Sequence, residues 1–192
     1  MRKSFILTFV LIALLSMAMG VQALESKTID RSNGESAFAS CTETNGNIVT
    51  DTYLSVTKTN DGTDIYMDIY SWDTSDGNYW VGKSGYLFTK DNVFSVDKKL
   101  NSASLSEIQL EVYNWETGVM EPMTIKANWT GVGEISKSSF KSSSTDGDYT
   151  FKSSDSSTYR TASVTGSVNN RECSTPYGNL VKFKSAYINM EK

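Results

Sequence analysis

The segment Asp64–Thr74, DIYMDIYSWDT, returns at Glu107–Thr117 as EIQLEVYNWET, and this echo decides the fold class. Ile65/Ile108, Tyr70/Tyr113, Trp72/Trp115 and Thr74/Thr117 are identical, most other positions keep their chemistry, and only Tyr66/Gln109 are unlike. Both copies alternate with period two, which is the pattern of a half-buried strand. Ile65, Met67 and Ile69, with Ile108, Leu110 and Val112, form an aliphatic side that belongs in a core. Asp68, Tyr70 and Trp72, with Glu111, Tyr113 and Trp115, form the other side. The echo extends outward to LSVTK at Leu54 and FSVDK at Phe94, and to YWVG at Tyr79 and NWTG at Asn128. Two copies of one strand–turn–strand–turn–strand unit, each unable to bury its apolar face alone, predict a single antiparallel β-sandwich in which one copy packs on the other.

The flanking sequence fits an all-β chain. NIVTDTYLSVTK places Ile48, Thr50, Thr52, Leu54 and Val56 on one face, and Val49, Asp51, Tyr53, Ser55 and Thr57 on the other. Asp61-Gly62 then signals a hairpin into the first copy of the repeat. EIQLEVYNW pairs naturally with MTIKANWTG across ETG, and TYRTASVTGSVN with VKFKSAYINM across the loop NRECSTPYGN. Between them, residues 136–158 are so rich in serine that composition alone suggests a linker. Phe140, Tyr149 and Phe151, spaced about Asp146-Gly147, instead predict an exposed edge hairpin whose interspersed lysines guard it against pairing with another chain.

The first residues set the compartment. Arg2 and Lys3 precede the apolar run SFILTFVLIALLSMAMG, and Val21 and Ala23 occupy the positions of a signal-peptidase site, so residues 1–23 read as a signal peptide and 24–192 as the mature domain. The alternative is an uncleaved N-terminal anchor, the only membrane contact the sequence suggests. Without Arg2 and Lys3, 16 basic residues face 22 acidic ones, a net charge of −6 that argues against a nucleic-acid partner. Cys41 and Cys173 are the only cysteines, and in an oxidising compartment an isolated pair predicts one disulfide. The localisation implied is secreted or extracytoplasmic, at the cell surface.

No histidine is present, which removes Ser-His-Asp and Cys-His nucleophile arrangements and the usual histidine zinc sites. Asp73, Asp76 and Asn78 surround Gly77, but the spacing fails a calcium loop because Trp72 would stand at its first ligand position. Ser75 to Asn78 is then simply a turn, and no cofactor or metal is expected. The ligand candidates are the repeated outer residues: Tyr70, Trp72, Tyr113 and Trp115 as a stacking surface for a ring such as a sugar, with Asp68 and Glu111 accepting hydrogen bonds from hydroxyls. Asn128-Trp129-Thr130 is a glycosylation sequon that matters where Asn128 meets solvent.

YSWDT, ANWTGVGE and YRTASVTGS, ahead of a final alternating strand, resemble secreted β-rich proteins with no assigned activity. The resemblance implies a sandwich-like domain and no site. The leading expectation is therefore an exported, non-catalytic protein that binds an extracellular glycan or another envelope component through its aromatic sheet face. Two alternatives stand beside it. One is a structural or adhesive envelope protein that pairs through its Ser-rich edge; the other is a glycosidase using Asp68 and Glu111 on neighbouring strands.

Overall fold

A computed structural model describes residues 26–75 and 79–191. The signal-peptide reading and the turn at Asp76, Gly77 and Asn78 lie outside the described residues. Nine strands run in sequence: β1 (Ser26–Asn45), β2 (Ile48–Thr59), β3 (Thr63–Asp73), β4 (Tyr79–Thr89), β5 (Phe94–Val96), β6 (Ser102–Asn114), β7 (Val119–Asp146), β8 (Tyr149–Val168) and β9 (Arg171–Glu191).

All pairings are antiparallel and form one sheet, ordered β4-β3-β2-β1-β9-β8-β7-β6-β5. A further pairing of β4 with β6, from Lys83↔Asn114 to Gly85↔Val112, joins the sheet back on itself. The result is an up-and-down barrel in which chain neighbours are sheet neighbours, with β5 as a short addition beside β6. All-β antiparallel architecture is as the sequence predicts. The two separate sheets of a sandwich are not resolved, because hydrogen bonding runs continuously around the molecule. Closure needs a close approach at Gly85, where a Cβ would lie 2.6 Å from Val112 Cγ1 and 2.9 Å from the Glu111 carbonyl oxygen.

In the repeat, Ile65, Met67, Leu110 and Val112 are all buried, with Ile69 and Ile108 packed beside them. The outlying echoes do not share register: Leu54 opposes Met67, whereas Phe94 opposes Leu105 and not Leu110.

The two ends of the barrel differ. At one end, Phe94, Leu100 and Trp129 are each 1% exposed. The Trp129 ring meets Phe94 edge-on at 6.1 Å, and its Nε1 donates to the Phe38 carbonyl oxygen at 2.8 Å. Arg160 covers this plug, donating to Asn101 Oδ1 and the Gly133 carbonyl oxygen. The other end is ringed by the short turns after β1, β6 and β8. The last is a two-residue turn in which Asn169 and Asn170 take φ 47 and 64, as a type I′ hairpin requires.

Four strands outrun the barrel beyond the plugged end. Ser26–Asn33 of β1 pairs only with β9, and Ser136–Asp146 of β7 only with β8, so β1-β9-β8-β7 project as a four-stranded blade with two open edges. The Ser-rich hairpin is thus a true sheet element, turning at Gly147 with φ 57, but only its first arm is an edge because β9 covers β8. Cys173 likewise lies within β9 and not in a loop. Its disulfide to Cys41, across 132 residues, fastens first strand to last just beyond Ala39↔Gly178, where the β1–β9 ladder ends.

Candidate functional site

The barrel's open end encloses a cavity of about 460 Å³. Leu54, Ile69, Met123, Ile125 and Val164, from four different strands, give it apolar walls beside the disulfide. Alternation makes this possible, since every second residue of each strand points inward and short side chains such as Ala39 and Ala127 leave volume unfilled. Polar groups gather at the rim. Thr50 and Ser71 hydroxyls are 2.9 Å apart, and Glu43, Glu116 and Arg171 stand around the opening.

Lys83 bridges the rim to Glu121 on β7, and the Asn114 amide donates to the same carboxylate at 2.7 Å. Those two contacts hold the Glu121 carboxyl below its ordinary pKa of 4.5, the Lys83 hydrogen bond being the larger cause. Asn114 is buried and its Oδ1 accepts the Glu116 and Thr117 amides, so it fixes the β6–β7 turn as well. Asn114 is the counterpart of Ser71 in the repeat; Ser71 lines the cavity, while Asn114 is buried and bonded to Glu121. Sequence reasoning left this pair unused because it treated only the outer face as functional.

On the outside, β4 lies between β3 and β6, with Asp68↔Ser84↔Tyr113 in one row. The six repeated candidates therefore share one surface but divide into two sets. Trp115 is 58% exposed, meets Tyr113 edge-to-face at 82°, and donates from Nε1 to Ser84 Oγ at 3.1 Å. Crossed rings make no flat platform. Tyr70 and Trp72 instead line a shallow notch of about 320 Å³ with Asp51 and Tyr53 of β2.

Two candidate acids need correction. Asp68 is buried beneath its neighbours, accepting a hydrogen bond from Tyr70 Oη at 3.0 Å and another from Tyr66, so it does not face a ligand. The Asp68 bond, followed by desolvation, pushes the Tyr66 phenol up to about 12. Glu111 is exposed, yet it sits two strands and one row from Asp68, a Cα separation of about 12 Å on strand geometry. The two are not on neighbouring strands as the glycosidase reading supposed.

The carboxylate of the notch is Asp51, which the sequence reading did not single out. A signal was present: Asp51-x-Tyr53 repeats Asp68-x-Tyr70, and in each the tyrosine hydroxyl reaches back to the aspartate, at 3.3 and 3.0 Å. The register completes a checkerboard, Asp51 opposing Tyr70 and Tyr53 opposing Asp68. Tyr53 and Tyr70 rings meet edge-on at 5.8 Å.

Among the described residues no group of histidine, cysteine and carboxylate side chains could hold a metal ion, and no helix is long and apolar enough to cross a membrane. Asn128 is exposed on the outer face. Comparisons with protein-family models, curated proteins and solved structures find no match.

Proposed function

We propose that this chain is an exported, non-catalytic binding protein that carries a small amphiphile in the mouth of its barrel. The observation behind this reading is the cavity of about 460 Å³, within the range of small-molecule sites, with apolar walls below a charged rim. An apolar body would displace water from Leu54, Met123, Ile125 and Val164 while a polar head stayed among Thr50, Ser71 and Arg171. Export is supported by the N-terminal segment and by a disulfide-bonded pair.

The test uses the dye 1-anilinonaphthalene-8-sulfonate, whose apolar rings and anionic head match walls and rim. One saturable site with enhanced fluorescence is expected. Ala39→Leu or Ala127→Leu, each adding volume inside the cavity, should weaken binding at least about tenfold with the melting transition retained. Binding indifferent to both substitutions rejects the cavity as the site.

A second reading keeps the outer surface as a glycan site, now centred on the notch of Asp51, Tyr53, Tyr70 and Trp72. It predicts that Trp72→Ala abolishes retention on immobilised envelope polysaccharide while Trp115→Ala does not. Equal effects of the two would remove it.

A further inference from the structure

The blade has two solvated faces, and their charges are sorted. Rows of directly opposed residues are read from the ladders of β1, β9, β8 and β7. On the face continuous with the barrel interior, five successive rows contain Lys27, then Lys152, then Arg31 with Lys141, then Lys184, then Lys182 with Lys137. Glu35, paired with Lys182 at 2.9 Å, is the single acid among them. Seven cations against one carboxylate give this face a charge of +6, on a chain whose net charge is −4. The opposite face carries Asp30, Asp146, Asp155 and Glu191 and no cation.

Edge protection explains Lys27, Arg31, Lys137 and Lys141, which lie on the open-edged strands. It does not explain Lys152, Lys182 and Lys184, which belong to the central strands β8 and β9. Apart from Lys182, none of the seven has a carboxylate within ion-pair distance among the described residues.

The cations form a line. Rows on one face repeat about every 7 Å along a sheet, so five rows make a positive track about 27 Å long. Thr150, Ser154, Ser156 and Thr158 of β8 run down the same face and add hydroxyl donors beside the charges. Near the plugged barrel, Lys58, Lys182 and Lys184 with Ser156 and Thr158 line an open cleft where the track begins.

We propose that this face binds a linear acidic polysaccharide, its carboxylate or sulfate groups seated along the lysine track. Two observations favour that partner over other polyanions. Every aromatic side chain of the blade, Phe140, Tyr149, Phe151 and Tyr187 included, is on the opposite face, so the track offers no stacking platform for nucleic-acid bases. Apolar side chains on the track, Ile29, Ile188 and Met190, gather at one corner and cannot set the whole face into a bilayer. The surface is separate from both the barrel cavity and the outer notch.

The experiment measures binding of the mature chain to polygalacturonate, with neutral dextran, phosphatidylcholine vesicles containing phosphatidylserine, and oligodeoxythymidylate as comparison ligands. Polygalacturonate should bind, dextran should not, and affinity should fall steeply between about 50 and 200 mM NaCl as screening increases. Lys152→Glu with Lys184→Glu should weaken binding at least about tenfold, and Asp155→Lys on the opposite face should not weaken it. Where the double reversal disturbs the melting transition, Lys152→Gln with Lys184→Gln replaces it, with a several-fold loss expected. The proposal is overturned by an absence of polygalacturonate binding at low salt, by binding that a folded double variant retains, or by tighter binding to the vesicles or the oligonucleotide.

Discussion

Tyr66 shows how much of this protein is decided by single side chains. It is the one unmatched position of the repeat, Gln109 standing in the other copy, and its hydroxyl is committed to Asp68. With its folded pKa near 12 against an ordinary 10.0, Tyr66 contributes stability that is fully present below pH 10 and lost as pH rises towards 12. Ultraviolet titration of the phenols should show Tyr66 titrating late, alongside Tyr86 and Tyr149, which hydrogen bonds to Asp64 and Glu191 also raise, and Asp68→Asn should return Tyr66 alone towards the ordinary range. Trp129 is decided by packing. It fills the plugged end at 1% exposure with its indole nitrogen satisfied, so Trp129→Ala should cost about 3–5 kcal/mol in urea unfolding. The inward positions of the repeat were legible because alternation names a face directly. The burial of Asp68 was not, because it depends on tyrosines two residues to either side folding over the carboxylate, and periodicity is blind to that.

At the level of strands, hairpins were readable and closure was not. Asp146-Gly147 and the ETG turn announced their hairpins, and Ile108↔Ile125 pairs as the two adjoining runs implied. The β4–β6 junction rests on three residue pairs and on the room left by Gly85, and nothing in either strand's alternation marks the partner. A sandwich and a barrel present the same inward and outward pattern, so local sequence could not choose between them. The disulfide reinforces a different seam. On the chain-entropy model its loop is worth about 4–5 kcal/mol. Cys41→Ser with Cys173→Ser should therefore lower the urea midpoint markedly and loosen the mouth before the plug, seen as faster hydrogen exchange in Thr50–Leu54 than around Trp129.

For the molecule as a whole, several acids are held down together. Asp73 is lowered by the Ser75 hydroxyl and amide, Asp97 by the Asn101 and Lys99 amides, and Glu121 chiefly by Lys83. Folded pKa values below unfolded ones give stability that is present above the ordinary carboxylate range and lost as pH falls through the folded values. The unfolding midpoint should accordingly drop between pH 6 and pH 3. Lys83→Met should shrink that drop, by removing the main cause of the Glu121 shift.

The order of strands also carries a consequence for how the chain is made. Ser26 and Glu191, the first and last described residues, are partners across β1 and β9, and β9 lies between β1 and β8 from Gly178 to Glu191. A chain delivered amino end first holds eight strands that cannot complete the ring, with β1 and β8 both waiting for the same partner. The closing 21 residues of β9 therefore act as a keystone. Until they arrive, two long, serine-rich flanks stay unsatisfied, so a chaperone that guards this chain would have to hold it until β9 has emerged.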